Sequence, residues 1–148
     1  MHKLFRIILI INLLLIIDLH QLNAEILVGV SAPLSGDVGE YGNAVRNGIE
    51  LARKENLENK NVKFFFEDNK FSASATISVF NKLVNYNKVQ LIYNWGEMPL
   101  QAVAPIAEQR KIPIVAMSLD PEPILDKKYI IGSINHSTQF AKLVTDYL

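Results

Sequence analysis

The hydrophobic positions fall into two alternating kinds of run, short and continuous or longer and spaced at helical intervals. Ile26, Leu27, Val28 and Val30 are contiguous, as expected of a strand buried on both faces of a parallel sheet. Pro33 ends that strand, and Gly36, Gly39 and Gly42 space a loop. Tyr41, Val45, Ile49 and Ala52 then recur at the spacing of a helix. A polar connection over 55–61 leads to a second apolar run, Val62 to Glu67. A second helix follows with Ser72 as N-cap and a stripe of Ala73, Ile77, Phe80 and Val84. Val89 to Tyr93 is the third predicted strand, and its exit Asn94-Trp95-Gly96-Glu97-Met98-Pro99 opens a third helix. There Pro99 fits a first helical position, and Val103, Ile106 and Ala107 face inward. Ile112 to Met117 is strand four, 118–126 a proline-punctuated loop, and Tyr129 to Ile134 a weaker strand five. A last helix is capped by Asn135 or Ser137 and carries the stripe Phe140, Leu143, Val144 and Tyr147.

Strands alternating with helices at this spacing require right-handed crossovers and a parallel sheet covered on both faces. The expected fold is therefore α/β: a doubly wound five-stranded parallel sheet of order 2-1-3-4-5. Residues 1–24 stand apart. Lys3 and Arg6 precede the uncharged run Ile7 to Ile17, and Asp18 to Asn23 leads to the small residue Ala24. That is the order of a secretory signal peptide, and the run is shorter than the roughly 20 residues of a membrane-spanning helix. Cleavage after Ala24 is expected, with 25–148 as the secreted, folded domain.

Composition narrows the chemistry. The chain has 148 residues, of which 49% are hydrophobic and 20% charged, so it can bury a core. It has no cysteine, which excludes disulfides, thiol catalysis, thiolate-bound metals and a lipid-anchoring cysteine. Without residues 1–24 it keeps 13 basic and 14 acidic residues, so no nucleic-acid partner is implied. The glycines of GDVGEYG are spaced by three, which is not the dinucleotide pattern, and no Gly-Lys-Ser/Thr follows. A Gly-x-Ser-x-Gly elbow is missing too. His2 and His20 belong to the leader and His136 is isolated, so neither a metal cluster nor a catalytic base with an orienting acid is visible. Neither an enzyme nor a cofactor is indicated.

The remaining candidate chemistry is on loops at the carboxyl ends of strands one, three and four, where ligands sit in open α/β sheets. Those loops carry Tyr41, then Gly96 and Glu97 beside Trp95, then Ser118 and Asp120. Structural roles are open for several of them. Tyr41 can be a rim residue, Trp95 a cap on the core, and Glu97 a carboxylate favoured by the helix dipole.

Six segments resemble the N-terminal lobe of the periplasmic leucine/isoleucine/valine-binding family, the solute receptors of ABC transporters. They are Ala32-Pro33-Leu34-Ser35-Gly36, Tyr41-Gly42, Gly48-Ile49-Glu50-Leu51-Ala52, Glu67-Asp68, 102–108 (AVAPIAE) and Ile112-Pro113-Ile114-Val115. The resemblance implies a type I periplasmic binding protein fold and a small amino-acid-like or amide-like solute bound without chemistry. It also implies an ABC transporter permease as partner, should a full-length receptor exist. Two such lobes close on a ligand in the family. Because the chain stops inside its last helix, it is expected to be a truncated lobe, binding weakly alone, with a ligand-incompetent remnant as the alternative. In the family a serine after strand three, and an amide and a threonine after strand four, hold a ligand carboxylate. Here Glu97, Ser118 and Asp120 fall at those places, which implies a ligand that is neutral or cationic at this end. Tyr41 falls where the family packs an aromatic ring on the ligand.

Overall fold

The computed structural model describes residues 25–56 and 61–147. The expected leader, most of the polar connection after the first helix, and Leu148 lie outside the described residues. Five strands, β1 (Ile26–Ala32), β2 (Val62–Asp68), β3 (Leu91–Trp95), β4 (Ile114–Met117) and β5 (Ile130–Gly132), alternate with helices α1 (Gly39–Asn56), α2 (Ala73–Asn85), α3 (Glu97–Arg110) and α4 (Ser137–Tyr147). All four pairings are parallel, and the order is β2-β1-β3-β4-β5, as the alternation requires. No described helix is long and apolar enough to cross a membrane.

One face of the sheet carries the core. Leu27, Phe65, Ile92, Ile114, Ala116 and Ile130 meet Val79, Phe80 and Leu83 of α2 and Leu100, Val103, Ala104 and Ala107 of α3. Gly29 leaves the room that Leu83 needs, since a Cβ there would stand 2.8 Å from Leu83 Cδ1. This contact turns α2 relative to the expected stripe. Thr76, Val79, Phe80 and Leu83 are the buried positions, while Ile77 is 36% exposed.

The other face is covered less than the pattern implied. α1 lies over it, but only Gly39 and Gly42 of that helix are buried, and Tyr41 and Ala52 are exposed. Val45 and Ile49 instead border an apolar cavity of about 410 Å³ against Val30, Phe64, Leu91, Tyr93 and Val115. Burial beside that cavity pushes the Tyr93 phenol pKa up. α4 buries no side chain, so its stripe of Phe140, Leu143, Val144 and Tyr147 is exposed.

Element boundaries shift for local reasons. β3 starts at Leu91 because Lys88 is left-handed (φ 57°) and the Val89 N–H turns back to Leu83 O at 3.2 Å. β4 starts at Ile114 because Lys111 is a left-handed C-cap and Ile112 N–H bonds Ala107 O. α3 begins at Glu97, which places Pro99 third in the helix, still within the turn that has no intrahelical use for its N–H. Ser72 caps α2 without a side-chain bond to its backbone, and its carbonyl accepts from Thr76 N and Oγ1. His136 packs against Gly132 at the start of α4 with Nδ1 buried, rather than standing in solvent.

Candidate functional site

Four loops leave the carboxyl edge of the sheet, and side chains bind them to one another. After β1, Pro33 stops the strand and α1 presses directly on it, since a Cβ on Gly42 would lie 1.8 Å from Pro33 O. Asn43 Nδ2 reaches back to Leu34 O and Gly39 O. Asp68, the last residue of β2, accepts hydrogen bonds from Leu34 N–H (2.8 Å), Ser35 Oγ (2.5 Å) and Lys70 N–H (2.9 Å). Burial alone would raise the Asp68 pKa. The bonds from the Ser35 hydroxyl and from the Lys70, Leu34 and Ser35 amides outweigh it and hold the carboxyl below its usual range. Asp68 thus latches the first loop to the second.

Lys70 and Phe71 after β2 are both left-handed (φ 51° and 50°), a costly conformation for residues with side chains. Buried Asn69 supports it: Oδ1 accepts the Phe71 N–H at 2.9 Å, and Nδ2 donates to Ser31 Oγ at 3.2 Å. The turn drives the Phe71 ring beneath Gly96, where a Cβ would meet Phe71 Cε2 at 2.6 Å. Gly96 itself has φ 104°, and its N–H bonds Met117 O. Phe71 and Tyr41 flank Trp95, with both ring centroids 5.7 Å from the indole. Tyr41 is nearly parallel to it (18°) and Phe71 tilted (58°). With Tyr41 53% exposed, the three rings form an aromatic surface open to solvent at the carboxyl edge.

The residues singled out in the sequence therefore occupy one edge, with different duties. Tyr41 stacks on Trp95, and Gly96 admits Phe71. Glu97, in the first turn of α3, accepts the Leu119 N–H through Oε1 at 3.3 Å and so joins the β3 and β4 exits. Ser118 is fully buried, and its hydroxyl both donates to Asp120 O and accepts from Asp120 N–H, closing its own turn. Asp120 holds Gln101 Nε2 (2.9 Å) and the Glu122 N–H (3.0 Å). Sequence reasoning missed Phe71 and the latch role of Asp68, both at the exit of β2. The signal was available, since a third loop at the same edge carries the triplet Asn69-Lys70-Phe71. Among the described residues no three His, Cys, Asp or Glu side chains are grouped to hold a metal ion.

A five-stranded parallel lobe with aromatic and polar groups converging at its carboxyl edge has the arrangement of ligand-binding α/β folds. Comparison with known proteins gives the family: the periplasmic binding protein family matches residues 25–148, and the chain belongs to it. Solved structures share the fold. A leucine-binding protein of Thermotoga maritima superposes with a TM-score of 0.73 at 23% identity, covering 82% of this chain and 37% of that one. A solute-binding protein of an ABC transporter from Rhodopseudomonas palustris, in complex with 3,4-dihydroxybenzoic acid, gives 0.75 at 21%, with 83% and 35% covered. A branched-chain amino-acid transporter substrate-binding protein of Streptococcus pneumoniae, in complex with isoleucine, gives 0.69 at 21%, with 76% and 34%. The chain thus spans about a third of the length of these structures. No curated protein sequence matches it.

Proposed function

We propose that residues 25–148 form the N-terminal lobe of an extracytoplasmic solute receptor that holds a small amino-acid-like or amide-like molecule and performs no chemistry on it. The observation that carries this reading is the Tyr41–Trp95–Phe71 surface at the carboxyl edge, tied through Glu97 and Leu119 to the turn of Ser118 and Asp120. Exposed stacked rings offer apolar contact to a small organic molecule, and the neighbouring carboxylates fix its orientation. Tyr41, Gly96, Glu97, Ser118 and Asp120 line the site in this reading, with the Ser118 hydroxyl shaping the turn. Fold relatives in complex with isoleucine and with an aromatic acid agree with a small-molecule ligand. Export follows from residues 1–24, the location is periplasmic, and a membrane permease receives the solute.

One lobe covers one side of its ligand, so affinity for residues 25–148 alone is weak. Thermal unfolding with a panel of amino acids, amides and aromatic metabolites tests the reading. At least one solute should raise the midpoint, while phosphate and nucleotides should leave it unchanged. A flat response to the whole panel, or stabilisation by nucleotides, refutes it.

A further inference from the structure

The groups around the aromatic surface favour one sign of charge. Glu97 is half-buried, and its carboxylate already occupies the Leu119 N–H, an amide at the β4 exit suited to an anion. One residue further on, Asp120 sets a second carboxylate on the same loop. The ion pairs among the described residues are Arg53–Glu50 and Lys82–Glu67, so no described lysine or arginine is ion-paired with Glu97 or Asp120. The exposed Tyr41 ring, stacked on Trp95, presents a π face whose quadrupole is negative. Carboxylates and π faces both attract a cation and repel an anion, and a partly desolvated site strengthens both effects.

We propose that this edge takes the ammonium end of a solute, a primary or quaternary ammonium ion on an apolar or aromatic body. Glu97 is the counter-charge, and the Tyr41–Trp95 surface receives the body. The proposal rests on the reading of this edge as a solute site and adds the ligand class to it.

Trp95 is the single tryptophan of the chain and lies in the site, so its fluorescence reports occupancy directly. The full chain is titrated with phenethylamine, 3-phenylpropionamide and 3-phenylpropionate, which share an aromatic body and differ in charge. The amine should give a saturable change, the amide one at least ten-fold weaker, and the acid none. Added salt should weaken the amine response. Glu97→Gln retains an oxygen for the Leu119 N–H, so the loop contact survives while the charge is lost. Amine affinity should fall at least ten-fold, about 1.4 kcal/mol. Asp120→Asn provides a second variant with a smaller loss in the same direction. Equal or tighter binding of the acid, or an amine titration unchanged in both variants, overturns the ligand class and leaves the receptor reading standing. Silence from all three compounds also overturns the class, and the receptor reading then falls only if the wider solute panel is flat as well.

Discussion

Asp68→Ala removes the acceptor of three hydrogen bonds at once, to Leu34 N–H, Ser35 Oγ and Lys70 N–H, and so uncouples the loop after β1 from the end of β2. Hydrogen bonds to a charged group contribute about 1.5–3 kcal/mol each when desolvated. This carboxylate stands in a loop that water reaches, where screening and rehydration of the freed amides reduce the sum to about 2–3 kcal/mol. Asp68→Asn is milder, about 0.5–1 kcal/mol. Its Oδ1 can still accept both amides and its amide nitrogen can donate to Ser35 Oγ, so only the charge is lost. The pH dependence has a definite sign. The folded pKa of Asp68 is depressed, so its stabilisation is complete above the unfolded value of about 3.9 and is lost as pH falls through the lower folded value. Urea unfolding followed by Trp95 emission measures both effects. The gap between wild type and Asp68→Asn should be open at pH 7 and close below about pH 4. An Asp68→Ala protein within 0.5 kcal/mol of wild type at pH 7, or a gap that widens on acidification, would refute the latch.

Four further substitutions test the packing around the site. Gly42→Ala drives a Cβ into Pro33 O, a backbone atom, and should cost about 3 kcal/mol. Gly29→Ala meets only the flexible end of Leu83 and should cost about 1 kcal/mol; equal melting temperatures for the two would contradict this. Gly96→Ala combines a strained φ of 104° with a clash at Phe71 Cε2. It should displace the rings and shift Trp95 emission to the red, and an unchanged spectrum would count against the aromatic cluster. Asn94 is fully buried with neither side-chain polar atom hydrogen-bonded, so Asn94→Val should raise stability in urea by about 1 kcal/mol, whereas a loss of that size would show that the amide is satisfied.

The alternation of apolar runs and helical spacings carried the strand order, because a parallel sheet with short right-handed connections leaves few other arrangements. What the pattern left open was the rotation of individual helices. Ala73-Ile77-Phe80-Val84 and Thr76-Val79-Phe80-Leu83 both fit a helical stripe, and the deciding information is Gly29 on a different strand, which makes the pocket for Leu83. The site divides in the same way. Gly96 and Glu97 could be located because they directly follow the end of β3, and Tyr41 because it lies in the first turn of the helix after β1; position along the chain determines which edge such residues reach. Phe71 lies three residues past the end of β2, so its edge was legible, but its place beneath Gly96 was not, because that depends on two consecutive left-handed residues held by the buried Asn69 side chain.

Both sets of residues meet at Trp95, which the sequence allowed as a cap on the core or as part of a site. The contacts set it between core and solvent. Phe71 supports the indole on the side of Gly96, and Tyr41 covers it toward solvent. A ring held in this way loses little further freedom when a ligand lies on it, so the ordering cost of binding is met largely by folding. In the proposed site the turn that places Phe71 is therefore part of the surface offered to a solute, although no sequence motif marks it. A substitution at Asn69, whose side chain bonds Phe71 N–H and Ser31 Oγ and none of the three rings, should loosen that surface as much as one at Phe71 itself.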